Sequence, residues 1–280
     1  MTNLTFTKMH GIGNDYVYIN IFHQEVKNPS ELAVKLSDRH FGIGSDGIVL
    51  IGPSDQADFA MDMYNLDGSR GKMCGNAIRC VGKYVYERQL TAKKKITIET
   101  LSGIKTLSLL TEKGQVSCVK VDMGLPVLDP RKIPVRWRDD RLVNEPISIG
   151  GKFYRITSVS MGNPHAVVFH DDIDQLDLAA IGPDFEHHKL FPDKVNTEFV
   201  QVIDKDNLRM RVWETGSGET MACGTGACAA LVAAVLNGFS RRKAMLHLAG
   251  GQLLIEWPAD DGPVMMSGPA TFVFDGTVRV

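Results

Sequence analysis

The chain has 280 residues, 44% of them apolar and 23% charged, with a formal net charge of −2. A chain of that length buries about 70–75% of its unfolded surface and needs no disulfide staples, while so balanced a charge excludes a nucleic-acid surface, which demands a basic excess. The five cysteines are an odd number, so reduced thiols are expected rather than a disulfide framework.

In chain order, the opening segment Met1 to Gly11 carries no charged leader followed by an apolar core, and a cytoplasmic location is expected. Gly13-Asn14-Asp15 leads into a strand-like run. Pro29-Ser30-Glu31 opens a helix through about Asp38, with Ser30 as its N-cap. Gly42-Ile43-Gly44-Ser45-Asp46-Gly47 matches G-x-G-x-x-G, but a helix precedes it and the strand Ile48 to Ile51 follows, the reverse of a dinucleotide site. Further strands are read over Ala57 to Tyr64, Lys95 to Glu99 and Gln115 to Met123, with a helix from Cys74-Gly75 toward Gln89 between the first two. The short Lys93-Lys94-Lys95 run reads as a solvated turn.

Pro126, Pro130 and Pro134 make the stretch from Leu125 to Trp137 the natural domain boundary, with the cleft beside it. His187-His188 reads as surface or packing, since adjacent helical residues face different ways. A last helix runs from Cys223-Gly224 to Leu236 and stops at Asn237-Gly238. Its most apolar part, Ala227 to Leu236, falls far short of the roughly 20 residues that cross a bilayer. Many short strands and few helices make the class α+β.

Met73-Cys74-Gly75-Asn76-Ala77 resembles Ala222-Cys223-Gly224-Thr225-Gly226, at an offset of 223 − 74 = 149. Gly13-Asn14 and Gly162-Asn163 share that offset, 162 − 13 = 149, as do Asn65 and Glu214, 214 − 65 = 149. A repeated offset indicates a fold built twice. It also singles out Cys74 and Cys223, leaving Cys80, Cys118 and Cys228 to packing, and the absence of a C-x-x-C pair argues against zinc.

A cysteine at a helix start feels the positive end of the macrodipole, which favours thiolate. The N–H groups of Gly75, Asn76, Gly224 and Thr225 suit a carboxylate. Two such thiols can remove a proton from one face of an α-carbon and return one to the other, without a cofactor. His165 is a candidate to tune a thiol, and Glu214 and Asn65 are candidates for the cleft. Alternatives are a binding protein that lost catalysis and a hydrolase using Cys223 and His165.

These segments, with Lys8 to Asp15, Gly42 to Gly47, Asn65 to Ser69, Met161 to His165, Phe191 to Asn196 and Gly218 to Ala227, resemble the diaminopimelate epimerase family over nearly the whole chain. The resemblance implies two pseudo-symmetric domains, 1–124 with 267–280 and 125–266, each a curved mixed sheet around a central helix. It implies stereoinversion of LL-2,6-diaminopimelate to the meso form in lysine and peptidoglycan precursor biosynthesis, with neither pyridoxal phosphate nor metal. Cys74 and Cys223 match the acid–base cysteines, and His165 and Glu214 the residues that tune them. Asn14, Gly47, Asn65, Gly75, Asn76, Asn163, Asn196, Glu214, Thr215, Gly224 and Thr225 match substrate-contacting positions.

The implied partner is a small amino acid, with no nucleic acid or membrane; assembly is left open, a homodimer being the candidate. Thr215 stands where the family usually has arginine, and threonine lacks the bidentate grip on a distal carboxylate. A racemase of the same fold for a substrate without that carboxylate is therefore a second reading. Gly47 stands where some members have a side-chain amide.

Overall fold

The computed structural model describes residues 3–280. Met1 and Thr2, part of the segment read for a leader and of the expected first domain, lie outside the described residues. Contacts divide the chain into two compact units, Met1–Val121 with Ser267–Val280, and Asp122–Met266.

In the first unit, strand Asn3–Gly11 lies antiparallel between Asn14–Asn20 and the C-terminal strand Thr271–Arg279. Asn14–Asn20 pairs in parallel with Gly47–Gly52, which runs antiparallel to Phe59–Asn65. That strand meets Lys95–Thr100 in parallel, and Gly103–Glu112 and Gln115–Asp122 follow antiparallel. Helix α1 (Pro29–Ser37) packs on Gly47–Gly52 and Phe59–Asn65, and helix α2 (Gly75–Glu87) on Asn3–Gly11, Asn14–Asn20 and Gly103–Glu112. Most of α2 is buried, Ala77, Ile78, Cys80, Val81 and Val85 completely, which makes it the core of its unit.

The second unit repeats this pattern. Pro164–Phe169 pairs antiparallel with Lys152–Ser160 and in parallel with Asn196–Val202, which runs antiparallel to Asn207–Glu214. Asn207–Glu214 meets Lys243–Leu248 in parallel, with Gly251–Glu256 antiparallel beyond it. Helix α3 (Leu178–Glu186) matches α1 in length at an offset of 178 − 29 = 149, and α4 (Gly224–Leu236) matches α2 at 224 − 75 = 149. Helix α4 has no charged residue and is buried from Ala227 to Ala234. Parallel and antiparallel pairings mix within each unit, and the fold is α+β.

Some local expectations are corrected. Ser30 does not cap α1: Asn28 precedes the helix, Pro29 takes its first turn, and the Ser30 hydroxyl donates to the Gly68 carbonyl at 2.7 Å. The expected helix ends hold to within two residues: α1 stops at Ser37, with Asp38 as its C-cap, and α2 at Glu87, before Gln89 turns to a φ of 60°. Helix α3 was not foreseen; the Asp177 side chain caps it by accepting the Ala180 N–H at 3.1 Å. His187 ends α3 on the surface, and Lys93 pairs with Asp58 at 2.6 Å. Among the described residues no cluster of three or more His, Cys, Asp or Glu could hold a metal ion, and no helix is long and apolar enough to cross a membrane.

Candidate active site

Cys74 and Cys223 occupy the N-cap positions of α2 and α4, one residue ahead of the helical turns, both with extended backbone. Each sulfur accepts the N–H three residues on, from Ala77 at 3.4 Å and Gly226 at 3.3 Å. A cap oxygen ordinarily fills this role, so both sulfurs meet the unsatisfied N–H groups that begin a helix.

In the first unit the Cys74 thiol donates to the Asn14 side-chain carbonyl at 3.2 Å, and the Asn14 amide donates to Asp46 at 2.8 Å. Gly75 and Asn76 form the first turn of α2. The Asn76 side chain is buried and accepts from Arg79 at 3.0 Å. Arg79 is fully buried and also donates to the Gly75 carbonyl at 2.9 Å and the Pro269 carbonyl at 3.1 Å. Gly47 and Asn65 are cross-strand partners, and the Asn65 amide donates to Ser69 at 3.0 Å. A Cβ on Gly47 would stand 2.1 Å from the Tyr64 carbonyl oxygen, at a φ of 155°. No side-chain amide fits this backbone there.

In the second unit Cys223 is buried, with the Thr225 hydroxyl at 3.5 Å. Burial, and then the Glu214 and Glu198 carboxylates, push its thiol well above the ordinary range, against hydrogen bonds from Thr225 and Gly226. At Cys223 desolvation and two nearby carboxylates therefore oppose the helix start, which favours thiolate. Burial also pushes the Glu214 carboxyl upward, with Thr220 and Cys223 opposing. The Thr220 hydroxyl donates to Glu214. Asn196 accepts the Thr215 N–H at 2.8 Å, and Thr215 is exposed in the turn after Glu214.

His165 is completely buried, its Nδ1 2.7 Å from Glu198 Oε1 and its Nε2 3.0 Å from the Asn163 side-chain oxygen. Glu198 is a functional candidate that sequence reasoning missed. It too is completely buried, and its Oε2 has no hydrogen-bond partner among the described residues. The strand Asn196–Val202 mixes polar and apolar residues, so no local signal set Glu198 apart, although a buried carboxylate is costly unless paired. None of the three remaining cysteines caps a helix. Burial pushes Cys80 up to about 11 and also raises Cys118, and Cys228 is completely buried in α4. Cys80→Ala, Cys118→Ala and Cys228→Ala are therefore expected to retain more than about half of wild-type kcat, each losing about 1–2 kcal/mol at most in denaturant unfolding.

Two copies of one mixed-sheet unit, each with a cysteine capping its central helix, define an epimerase-like fold. A PhzF-family phenazine biosynthesis protein from Bacillus anthracis shares that fold with a TM-score of 0.73 at 15% identity, covering 100% of both chains. A hydroxyproline epimerase from Agrobacterium vitis shares it with a TM-score of 0.71 at 13% identity, covering 99% of this chain and 92% of that one. The chain belongs to the diaminopimelate epimerase family, whose model matches residues 6–128 and 157–273. A diaminopimelate epimerase of Acetivibrio thermocellus is 58% identical over 275 residues, 98% of each chain.

Proposed function

We propose that the chain is a cytoplasmic diaminopimelate epimerase, interconverting LL-2,6-diaminopimelate and the meso form in lysine and cell-wall precursor biosynthesis, with Cys74 and Cys223 as its two acid–base groups. The observation that carries this reading is the duplicated cysteine N-cap in a chain of this family. The thiolate of one cysteine takes the α-proton; the S–H of the other gives its proton to the opposite face, and the two exchange protonation states over one turnover. In the LL direction Cys74 is the base and Cys223, whose thiol burial and its carboxylate neighbours push upward, is the acid. The N–H groups of Gly75, Asn76, Gly224 and Thr225 hold the α-carboxylate. His165 and Glu214 tune Cys223, and Asn14, Gly47, Asn65, Asn163, Asn196 and Thr215 contact the rest of the substrate.

Chiral chromatography of LL- and meso-diaminopimelate, lysine, ornithine and proline incubated with the purified protein tests the assignment. Interconversion of the two diaminopimelate isomers is expected, with no inversion of the monocarboxylates. Turnover of another amino acid with none of diaminopimelate would establish the reading that Thr215 suggested, a racemase for substrates without a distal carboxylate.

A further inference from the structure

The glycine-rich segment Gly42–Gly47 carries Asp46 to Asn14, the residue that accepts from Cys74. Asp46 Oδ2 accepts the Asn14 side-chain amide at 2.8 Å and the Asp15 N–H at 3.1 Å, while Oδ1 accepts from Arg39 at 3.0 Å. The Asp46 N–H donates to the Asp15 carbonyl at 2.8 Å, Arg39 also pairs with Asp15 at 2.9 Å, and Lys8 bonds Asp15 and the Gly44 carbonyl. A carboxylate only accepts hydrogen bonds. Asn14 must therefore turn its NH2 toward Asp46 and its carbonyl toward Cys74, whose thiol donates to that carbonyl at 3.2 Å. The reversed amide would donate to the sulfur and set two acceptor oxygens, those of Asn14 and Asp46, against each other.

We propose that Asp46 is a positioning residue: by fixing which end of the Asn14 amide faces Cys74 it favours the protonated sulfur, and so makes the Cys74 thiolate a stronger base for the α-proton. The inference rests on the reading of Cys74 as an acid–base group. When the thiolate takes the α-proton, the new S–H donates to the Asn14 carbonyl; a reversed amide would stabilise the thiolate instead and lower its basicity. Titratable groups that interact with Cys74 include Arg79 and Cys80 on α2 and Tyr18 on the strand Asn14–Asn20. Around Asp46 they are Asp15, Arg39 and Lys8.

The test is the pH dependence of iodoacetamide alkylation at Cys74, followed by peptide mass spectrometry in substrate-free protein. Asp46→Ala frees the Asn14 amide and is expected to lower the midpoint by about one pH unit, a roughly tenfold gain in rate below the midpoint. The acidic limb of kcat/KM should move with it, and kcat should fall several-fold while KM changes little. Asp46→Asn loses the same charge but keeps a carbonyl acceptor for Asn14 and Asp15, and is expected to restore most of the wild-type midpoint. An unmoved midpoint in Asp46→Ala, or equal shifts in the two variants, would overturn the proposal, because loss of charge alone predicts equality. If Asp46→Ala does not fold, Asn14→Ala, which removes the carbonyl acceptor, is expected to lower the midpoint too, and no shift there overturns it equally. A protein that shows the shift yet does not epimerise diaminopimelate would defeat the functional reading and leave the positioning role standing.

Discussion

Cys223→Ala and Cys74→Ala are each expected to lower kcat for diaminopimelate epimerisation by at least about a thousandfold, the scale on which a positioned general acid or base contributes. The loss is chemical rather than structural. Removing the Cys223 sulfur deletes an N-cap bond to Gly226 and little buried volume, a change worth about 1 kcal/mol. The unfolding midpoint should therefore move little while turnover vanishes, a split that denaturant unfolding and a chiral assay on the same preparation reveal. Serine at position 223 restores a cap acceptor but not a thiol, so Cys223→Ser should recover stability without activity. Substantial turnover in any of these variants would show that the duplicated cap is only architecture.

Gly226→Ala is expected to be nearly as damaging, although helix propensity alone predicts a gain of about 1 kcal/mol from this exchange. A Cβ at Gly226 would stand 2.5 Å from Glu198 Oε1 and 3.2 Å from Cys223 Sγ. Neither neighbour can give way easily, since Glu198 is completely buried against His165 and Cys223 is tied to the first turn of α4. Overpacking of this kind costs about 1–3 kcal/mol, and displacing a reacting sulfur by about 1 Å costs on the order of a hundredfold in rate. We expect lower stability in denaturant and a kcat reduced at least about a hundredfold. A stabilised variant with normal kcat would mean that Glu198 and Cys223 are free to move apart.

The duplication was legible because one offset recurs in chemically distinctive segments, and helices α2 and α4 follow from it directly. Helix α3 was not legible: Leu178–Glu186 has a proline at position 183 and a glycine at 182, both of which argue against a helix on local grounds. Its cap at Asp177 and its packing on Asn196–Val202 and Asn207–Glu214 override that preference. Ser30 was read as a cap because its residue type suits one, whereas the chain starts the helix a residue earlier at Pro29. Within the site, the cysteine caps were visible in the pattern Cys-Gly before an apolar run. Glu198 and Asp46 were not. Glu198 finds its partner His165 only because two strands pair in parallel across an intervening helix, and Asp46 reaches Asn14 through an equally non-local register. Such contacts leave no local periodicity in a single sequence.

The central claim, that two different sulfurs handle the departing and the arriving proton, is tested most directly by early-time epimerisation of LL-diaminopimelate in deuterium oxide. Two monoprotic groups predict that the meso product carries one deuterium at the inverted α-carbon while recovered LL substrate remains protiated. Inverted product without deuterium, or deuterium in recovered substrate ahead of inversion, would contradict it, because a single group would then be both removing and returning the proton.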